Sequence, residues 1–369
     1  MTGPTTTGRV RTTGTVRVVG VGLLGASAGL GLRALGVDVA LADPSPSALA
    51  LAVDLGAGRR AADGDRPALV VVATPPDVTA DVVAAELTAH PDAAVTDVAS
   101  VKHGVRDALV ASGVSLARYV GGHPMAGRER SGAVAARGDL FVGRPWVVAP
   151  DGAEESAVGA VADLVLDLGA LPVVMGGRAH DDAVALVSHL PQLAATLVAA
   201  RLRDAPASAV DLAGPGLRDV TRIAASDPAL WVQILAANAG PVAALLRAVR
   251  DDLDGLLGAL EALDGDPVAP GARAALARAV AAGNDGVARV PGKHGAPPTT
   301  YALVTVVVPD RPGELGRLLA EMGEIGVNLE DLHLEHSPGQ PVGLAELSVL
   351  PSAREHLATS LEARGWAVH

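Results

Sequence analysis

The stretch VRVVGVGLLGASAGLGLRA, residues Val16–Ala34, carries a β-branched run into a helical pattern through Gly20-Val21-Gly22-Leu23-Leu24-Gly25. A GxGxxG turn between a strand and a helix is the context a dinucleotide fingerprint requires. Gly20 permits the tight turn, Gly22 lets backbone N–H groups approach a pyrophosphate, and Gly25 allows the helix to pack closely on the strand. The helix N-terminus, opened by Leu23 and Leu24, offers positive partial charge to the phosphates. A second apolar run, Val37–Ala42, ends in Asp43, where an acidic residue binds a ribose 2′-hydroxyl. No basic cluster follows Asp43 directly, which favours NAD over NADP.

Working outward, short apolar runs recur at Ala68–Ala73, Ala94–Val98, Tyr119–Gly122, Trp146–Ala149 and Pro172–Val174, with Ala-rich helical segments between them. Buried parallel strands read this way, and their alternation with helices predicts an α/β, doubly wound, Rossmann-type sheet over residues 15–177. Residues 178–283 lack convincing strands and carry helical spacing, which predicts an all-helical domain. Pro191 predicts a kink near Ser188. A long helix is expected from Asp227 to Leu263, so rich in Leu, Val and Ala that it calls for burial against another chain, a homodimer. Residues 284–299 read as a linker. Beyond it, the order βαββαβ over residues 300–369 predicts a ferredoxin-like unit. The first 14 residues, rich in Thr and Gly, read as a disordered tail.

Composition narrows the partners. The net charge is −12, and Lys102 and Lys293 are the only lysines among 369 residues. That balance argues against a nucleic acid or an anionic membrane surface. There is no cysteine, hence neither a disulfide framework nor a thiol nucleophile. No uninterrupted apolar run reaches the ~18–20 residues of a membrane span. The expectation is a soluble, cytoplasmic protein with no metal centre.

Ligands of open α/β sheets bind outside the carboxyl ends of the strands. The polar residues expected there are Asp43, Thr74 with Pro75 behind it, Ser100 near Lys102, and His123. His123 is the natural general base, because its ordinary pKa lies near neutrality. Ser100 is placed to bond either the other imidazole nitrogen or a substrate. In the helical region, Ser188-His189-Leu190-Pro191-Gln192 gathers polar groups at the proline, either as a site or as local satisfaction of freed backbone groups. Further on, Arg222 is a candidate carboxylate clamp. Arg218 and Asp219 are either part of that site or a surface pair, and Trp231 is either core or pocket wall.

Taken together, GVGLLG, Asp43, ATPP (Ala73–Pro76), DVASVK (Asp97–Lys102), GGHPMAGRERSG (Gly121–Gly132), SHLPQ and RDVTRIAASDPALW (Arg218–Trp231) resemble the prephenate/arogenate dehydrogenases of tyrosine biosynthesis. The resemblance covers Val16–Leu263. The segments VPDRPGEL (Val308–Leu315) and Gly326-Val327-Asn328 resemble an ACT domain, an amino-acid-sensing module. The resemblance implies oxidation of the ring alcohol of prephenate with NAD, with loss of carbon dioxide, to give 4-hydroxyphenylpyruvate. It implies His123 as the catalytic base, Ser100 bonded to the substrate hydroxyl, and Ser188 close to both. Arg222 would grip a substrate carboxylate, with Asp219, Trp231 and, at the rim, Glu129 around the pocket. In the ACT unit, Asp310, Pro312, Gly313 and Asn328 would bind an effector, expected to be tyrosine.

Two positions depart from the family pattern. Gln192 stands where many members carry a second histidine, and Arg128 where Thr or Ser is common. Both fall where the substrate side chain should lie. The extra charge of Arg128 favours an anionic pyruvyl group, hence prephenate, unless that side chain points to solvent. The alternatives are an arogenate dehydrogenase forming tyrosine directly and a non-catalytic NAD and amino-acid sensor. Ser100, His123 and Arg222 together argue against the sensor, which needs no proton chemistry.

Overall fold

The computed structural model describes residues 10–126, 132–291, 300–336 and 341–369. The chain forms two compact units, Met1–Val249 and Arg250–His369. The first is built on an eight-stranded sheet. Its strands and helices run β1 (Thr15–Val19), α1 (Leu23–Ala34), β2 (Val39–Ala42), α2 (Pro46–Asp54), β3 (Arg59–Arg60), β4 (Pro67–Val72), α3 (Pro76–Ala89) and β5 (Ala94–Asp97). They continue through α4 (His103–Ala111), β6 (Tyr119–Pro124), β7 (Pro145–Ala149), α5 (Glu155–Asp167) and β8 (Leu171–Val174). The strand order is β3-β2-β1-β4-β5-β6-β7-β8. The chain leaves β1 toward one edge and, from β4, fills the other, so a topological switch lies between β1 and β4. Each face of the sheet carries its own apolar cluster, with Val16, Val18 and Leu32 on one side and Val70, Val72 and Leu109 on the other.

The sheet is not wholly parallel, as the pattern of apolar runs predicts. β7 pairs with β6 in antiparallel fashion, His123 opposite Val147. Among the described residues the β6–β7 connection holds only a short 3-10 turn, Ala133–Ala135. A chain that returns without a crossover helix must come back antiparallel. Residues 10–12, within the segment expected to be a disordered tail, are ordered against the sheet domain. Val10 packs on the core, and the N–H groups of Arg11 and Thr12 donate to Asp167 Oδ2 at 2.9 and 2.7 Å.

The helices that follow are α6 (Gly177–Val184), α7 (Leu190–Leu202), α8 (Ala207–Val210), α9 (Pro215–Thr221), α10 (Pro228–Ala237), α11 (Ala239–Gly265) and α12 (Ala272–Val287). The disturbance expected at Ser188 takes the form of a π-helical segment, Ala185–His189, between α6 and α7. The helical run Gly177–Leu202 spans 26 residues and contains an 18-residue window with a mean hydropathy of 1.6, long and apolar enough to cross a membrane, which corrects the expectation of no such segment. Uninterrupted apolar runs are short here, but the average over that window is high. Its buried His180, Asp181, His189 and Gln192 bond protein groups instead. The single helix expected over Asp227–Leu263 is broken. α10 and α11 meet at 95° around Asn238, whose buried side chain donates to the Asp181 carbonyl. α12 runs on to Val287, past Gly283, where composition places a linker.

In the second unit, β9 (Ala302–Pro309), α13 (Glu314–Ile325), β10 (Asp331–His336), β11 (Val342–Val349), α14 (Arg354–Ala363) and β12 (Ala367–Val368) give the expected βαββαβ order. The sheet runs β10-β11-β9-β12, every pair antiparallel. Val304, Val306, Leu318, Leu347, Leu357 and Leu361 form its core.

β6 approaches β5 so closely at Gly122 that a Cβ there would stand 2.3 Å from the Asp97 carbonyl oxygen. Gly122→Ala is therefore expected to destabilise the fold by about 1–3 kcal/mol, as overpacking does. Gly104→Ala, on α4 with open space at its Cβ, should stabilise by about 0.5–1 kcal/mol. Urea unfolding of both variants checks the opposite signs.

Candidate active site

The dinucleotide cradle starts where β1 ends. Gly20 has φ +93°, and a Cβ on Gly25 would lie 2.0 Å from the Gly20 carbonyl oxygen. No atom lies within 4 Å of where a Gly22 Cβ would be, so the entrance to α1 is open to a bulky anion. Leu23 and Leu24 pack against the sheet beneath it. Asp43 draws the loop together, accepting from Val21 N–H at 3.0 Å and Ser45 N–H at 2.8 Å. A carboxylate oxygen takes more than one hydrogen bond, so Asp43 retains capacity for a ribose hydroxyl. Thr74 and Pro75 follow β4 at the same edge of the sheet, where the Thr79 hydroxyl donates to the Pro75 carbonyl at 2.9 Å. This cradle fits NAD.

A cavity of about 940 Å³ opens at that carboxyl edge. Ser100 reaches it from the turn after β5, and His123 from the end of β6. Ser188, His189 and Gln192 come from the π segment and α7, and Trp231 from α10. Five of the residues singled out from sequence, Ser100, His123, Ser188, Gln192 and Trp231, thus meet around one space. Arg222 and Asp219 do not line it; both are exposed, although Ile223 beside Arg222 does. Arg128 and Glu129 lie outside the described residues. Asp310, Pro312 and Gly313 sit between β9 and α13, where Gly313 opens the helix at φ +94°. Asn328 precedes β10 and donates to Glu330 at 2.6 Å.

Sequence reasoning missed three features. Arg137 lines the cavity, paired with Asp139 at 2.6 Å. Lys102 is buried with its ammonium on Asp97, whose other oxygen accepts from Tyr119 at 2.7 Å. Behind His123 stands a fully buried imidazole, His180. His123 Nδ1 is 2.8 Å from His180 Nε2, and His180 Nδ1 is 2.7 Å from Asp181 Oδ1. Only the adjacent His-Asp pair at the start of α6 hinted at this chain, and in sequence it reads as a solvated helix start.

Electrostatics hold the site neutral. Burial pushes the His123 pKa well below the ordinary 6.5, and a proton on His180, the Lys102 ammonium or a proton on His189 would push the same way. Burial also lowers His189, with Asp181 opposing and His180 reinforcing. Burial raises Asp181, but the hydrogen bonds from His180 and from Lys102 and His103 N–H outweigh it and leave its pKa below 3.8. At neutral pH the cavity thus presents an unprotonated imidazole, as proton abstraction requires.

A domain family described as prephenate dehydrogenase, nucleotide-binding domain, matches residues 28–174, and one described as prephenate dehydrogenase, dimerization domain, matches residues 177–270. The Streptomyces niveus protein named "Probable prephenate dehydrogenase NovF" is 41% identical over 95% of this chain and 98% of its own length. The chain belongs to the prephenate dehydrogenase family. Among structures, prephenate dehydrogenase from A. aeolicus, solved in complex with hydroxyphenyl propionate and NAD+, is 26% identical with a TM-score of 0.63, over 76% of this chain and all of that one. Synechocystis arogenate dehydrogenase is 25% identical with a TM-score of 0.61, over 73% of this chain and 99% of that one. The likeness to NovF covers so much of the chain that it reaches into the second unit, beyond the span of either structure.

The depressed histidines set a stability window. The unfolded chain binds protons that buried His123 and His189 refuse. Their contribution is therefore complete above about pH 6.5 and is lost as pH falls below it, by at most about 1.4 kcal/mol per pH unit for each group. Urea unfolding between pH 7.5 and 5 should show this decline, and a flatter one in His123→Asn.

Proposed function

We propose that the protein is an NAD-dependent prephenate dehydrogenase, converting prephenate to 4-hydroxyphenylpyruvate and carbon dioxide. The observation that carries this reading is the neutral His123 on a cavity shared with Ser100, Ser188, Gln192 and Trp231, at the same sheet edge as the glycine cradle. NAD, held by Gly20–Gly25, Asp43, Thr74 and Pro75, supplies the hydride acceptor for the ring carbinol carbon. His123 takes the hydroxyl proton, with Ser100 and Ser188 orienting that hydroxyl. Loss of the ring carboxylate as carbon dioxide sends its bonding pair through the ring to the new carbonyl oxygen; the ring becomes aromatic, and the resulting phenolate recovers the proton from His123. Arg222, next to the lining residue Ile223, serves the remaining carboxylate, and Arg137 adds positive charge within the cavity. Asp219 completes that rim. Arg128 acts on the substrate side chain, favouring a pyruvyl over an amino-acid group, and Glu129 serves the pocket's ionic network.

The chain is organised as a cofactor domain (15–177), a helical domain (178–287) and a regulatory domain (300–369). The helical domain pairs two copies in the cytoplasm. Its match to a dimerization family and its exposed Leu186, Val187, Leu197 and Val232 support that pairing. The last domain is an ACT-type module that binds tyrosine. Its βαββαβ order and the left-handed Gly313 that opens α13 after β9 support that reading.

NADH formation from prephenate and from arogenate, each with and without tyrosine, tests the reading. A kcat/KM at least about tenfold higher for prephenate is expected; the reverse would make arogenate the substrate, and no turnover of either would leave a sensor. His123→Asn should lower kcat by about 10²–10⁴-fold. Arg222→Ala should cost roughly 2–5 kcal/mol of substrate binding, read mainly as a raised KM. Calorimetric titration with tyrosine should give a signal that Asn328→Ala weakens.

A further inference from the structure

We propose that His180 and Asp181 are positioning residues for the reaction: they fix which nitrogen of His123 carries hydrogen and share the charge it acquires. This rests on His123 being the base. Asp181 is anchored first. Its Oδ1 accepts from Lys102 N–H and its Oδ2 from His103 N–H, each at 2.8 Å. An ionised carboxylate only accepts, so the hydrogen in the 2.7 Å contact with Oδ1 belongs to His180 Nδ1. With its hydrogen on Nδ1, His180 turns a lone pair at Nε2 toward His123, 2.8 Å away.

That lone pair needs a donor, so the His123 hydrogen sits on Nδ1. His123 Nε2 keeps its own lone pair for the cavity. The rings meet edge to face at 81°, and His180 is wholly buried, so water does not compete for either nitrogen. When the substrate hydroxyl proton arrives at Nε2, the Nδ1 proton can move along the same hydrogen bond to His180. The positive charge then lies against the Asp181 carboxylate; when decarboxylation leaves a phenolate, its oxygen takes the Nε2 proton and the shared proton returns from His180 to His123 Nδ1. A carboxylate orienting a catalytic imidazole is a familiar arrangement; here a second imidazole is inserted between them.

The test compares His180→Leu, His180→Asn and His123→Asn, using kcat and KM for prephenate and ¹⁵N shifts of the His123 ring. The leucine substitution removes the acceptor. It should lower kcat by about 10²-fold or more, leave KM and NADH affinity within about threefold, and mix the His123 tautomers. The asparagine substitution offers an amide oxygen to His123 and an N–H₂ to Asp181. It should therefore restore at least about a tenth of wild-type kcat and the Nδ1–H tautomer. If both His180 variants keep near-normal kcat and tautomer while His123→Asn is inactive, the positioning role is wrong and the base assignment stands. An asparagine variant as impaired as the leucine one, in folded protein, would equally overturn it. An active His123→Asn would instead remove the reading on which the proposal rests.

Discussion

The Asp181 carboxylate receives hydrogen bonds from Lys102 N–H, 79 residues earlier in the chain, from His103 N–H and from the neighbouring His180 ring. The first two groups lie at the start of α4, immediately after the turn that carries Ser100. The third faces His123. One side chain of the helical region therefore sets the position of two cavity residues that belong to the sheet. Asn238 extends the connection, donating to the Asp181 carbonyl at 2.8 Å and lying 3.2 Å from His189 Nδ1. The break between α10 and α11 is thus located by a polar side chain that also fixes the start of α6. Charge-assisted bonds such as those to the Asp181 carboxylate are roughly twice as strong as neutral ones, and they tie the two parts of the cavity wall together.

The fold was legible wherever the chain obeys simple periodicity. Apolar runs marked the strands, and the glycine turn marked the cofactor cradle, because the physics there is local. What needed the third dimension was the pairing of residues distant in sequence. His180 and Asp181 open a helix after Gly176-Gly177, a place where polar residues are ordinarily solvated; nothing in the sequence says that α4 and β6 will cover them. The antiparallel return of β7 was hidden because a buried strand looks the same in either direction. The break at Asn238 was hidden because the helical spacing of apolar residues continues through it. Ser100, His123, Ser188, Gln192 and Trp231 were gathered from motifs and do share a cavity, whereas Arg222 and Asp219, equally prominent in sequence, stand exposed outside it.

The buried Lys102 joins stability to chemistry. An ammonium out of water is costly, and Asp97 offsets that cost by accepting from it, while the Tyr119 hydroxyl donates to the other carboxylate oxygen. Removing one partner of such a pair typically costs about 3–5 kcal/mol, because the other is left uncompensated. Yet the pair is not electrically silent at His123, where Lys102 still disfavours a second positive charge. The same lysine donates its backbone N–H to Asp181, which stabilises positive charge on the imidazole side. The base is therefore set between opposing influences: burial, reinforced by the Lys102 cation, which keeps it unprotonated at rest, and a carboxylate, reached through His180, that accommodates the proton once it arrives. A base that is neutral before the reaction and tolerably charged during it needs both, and the turn from Asp97 to His103 supplies the cation while holding the carboxylate in place.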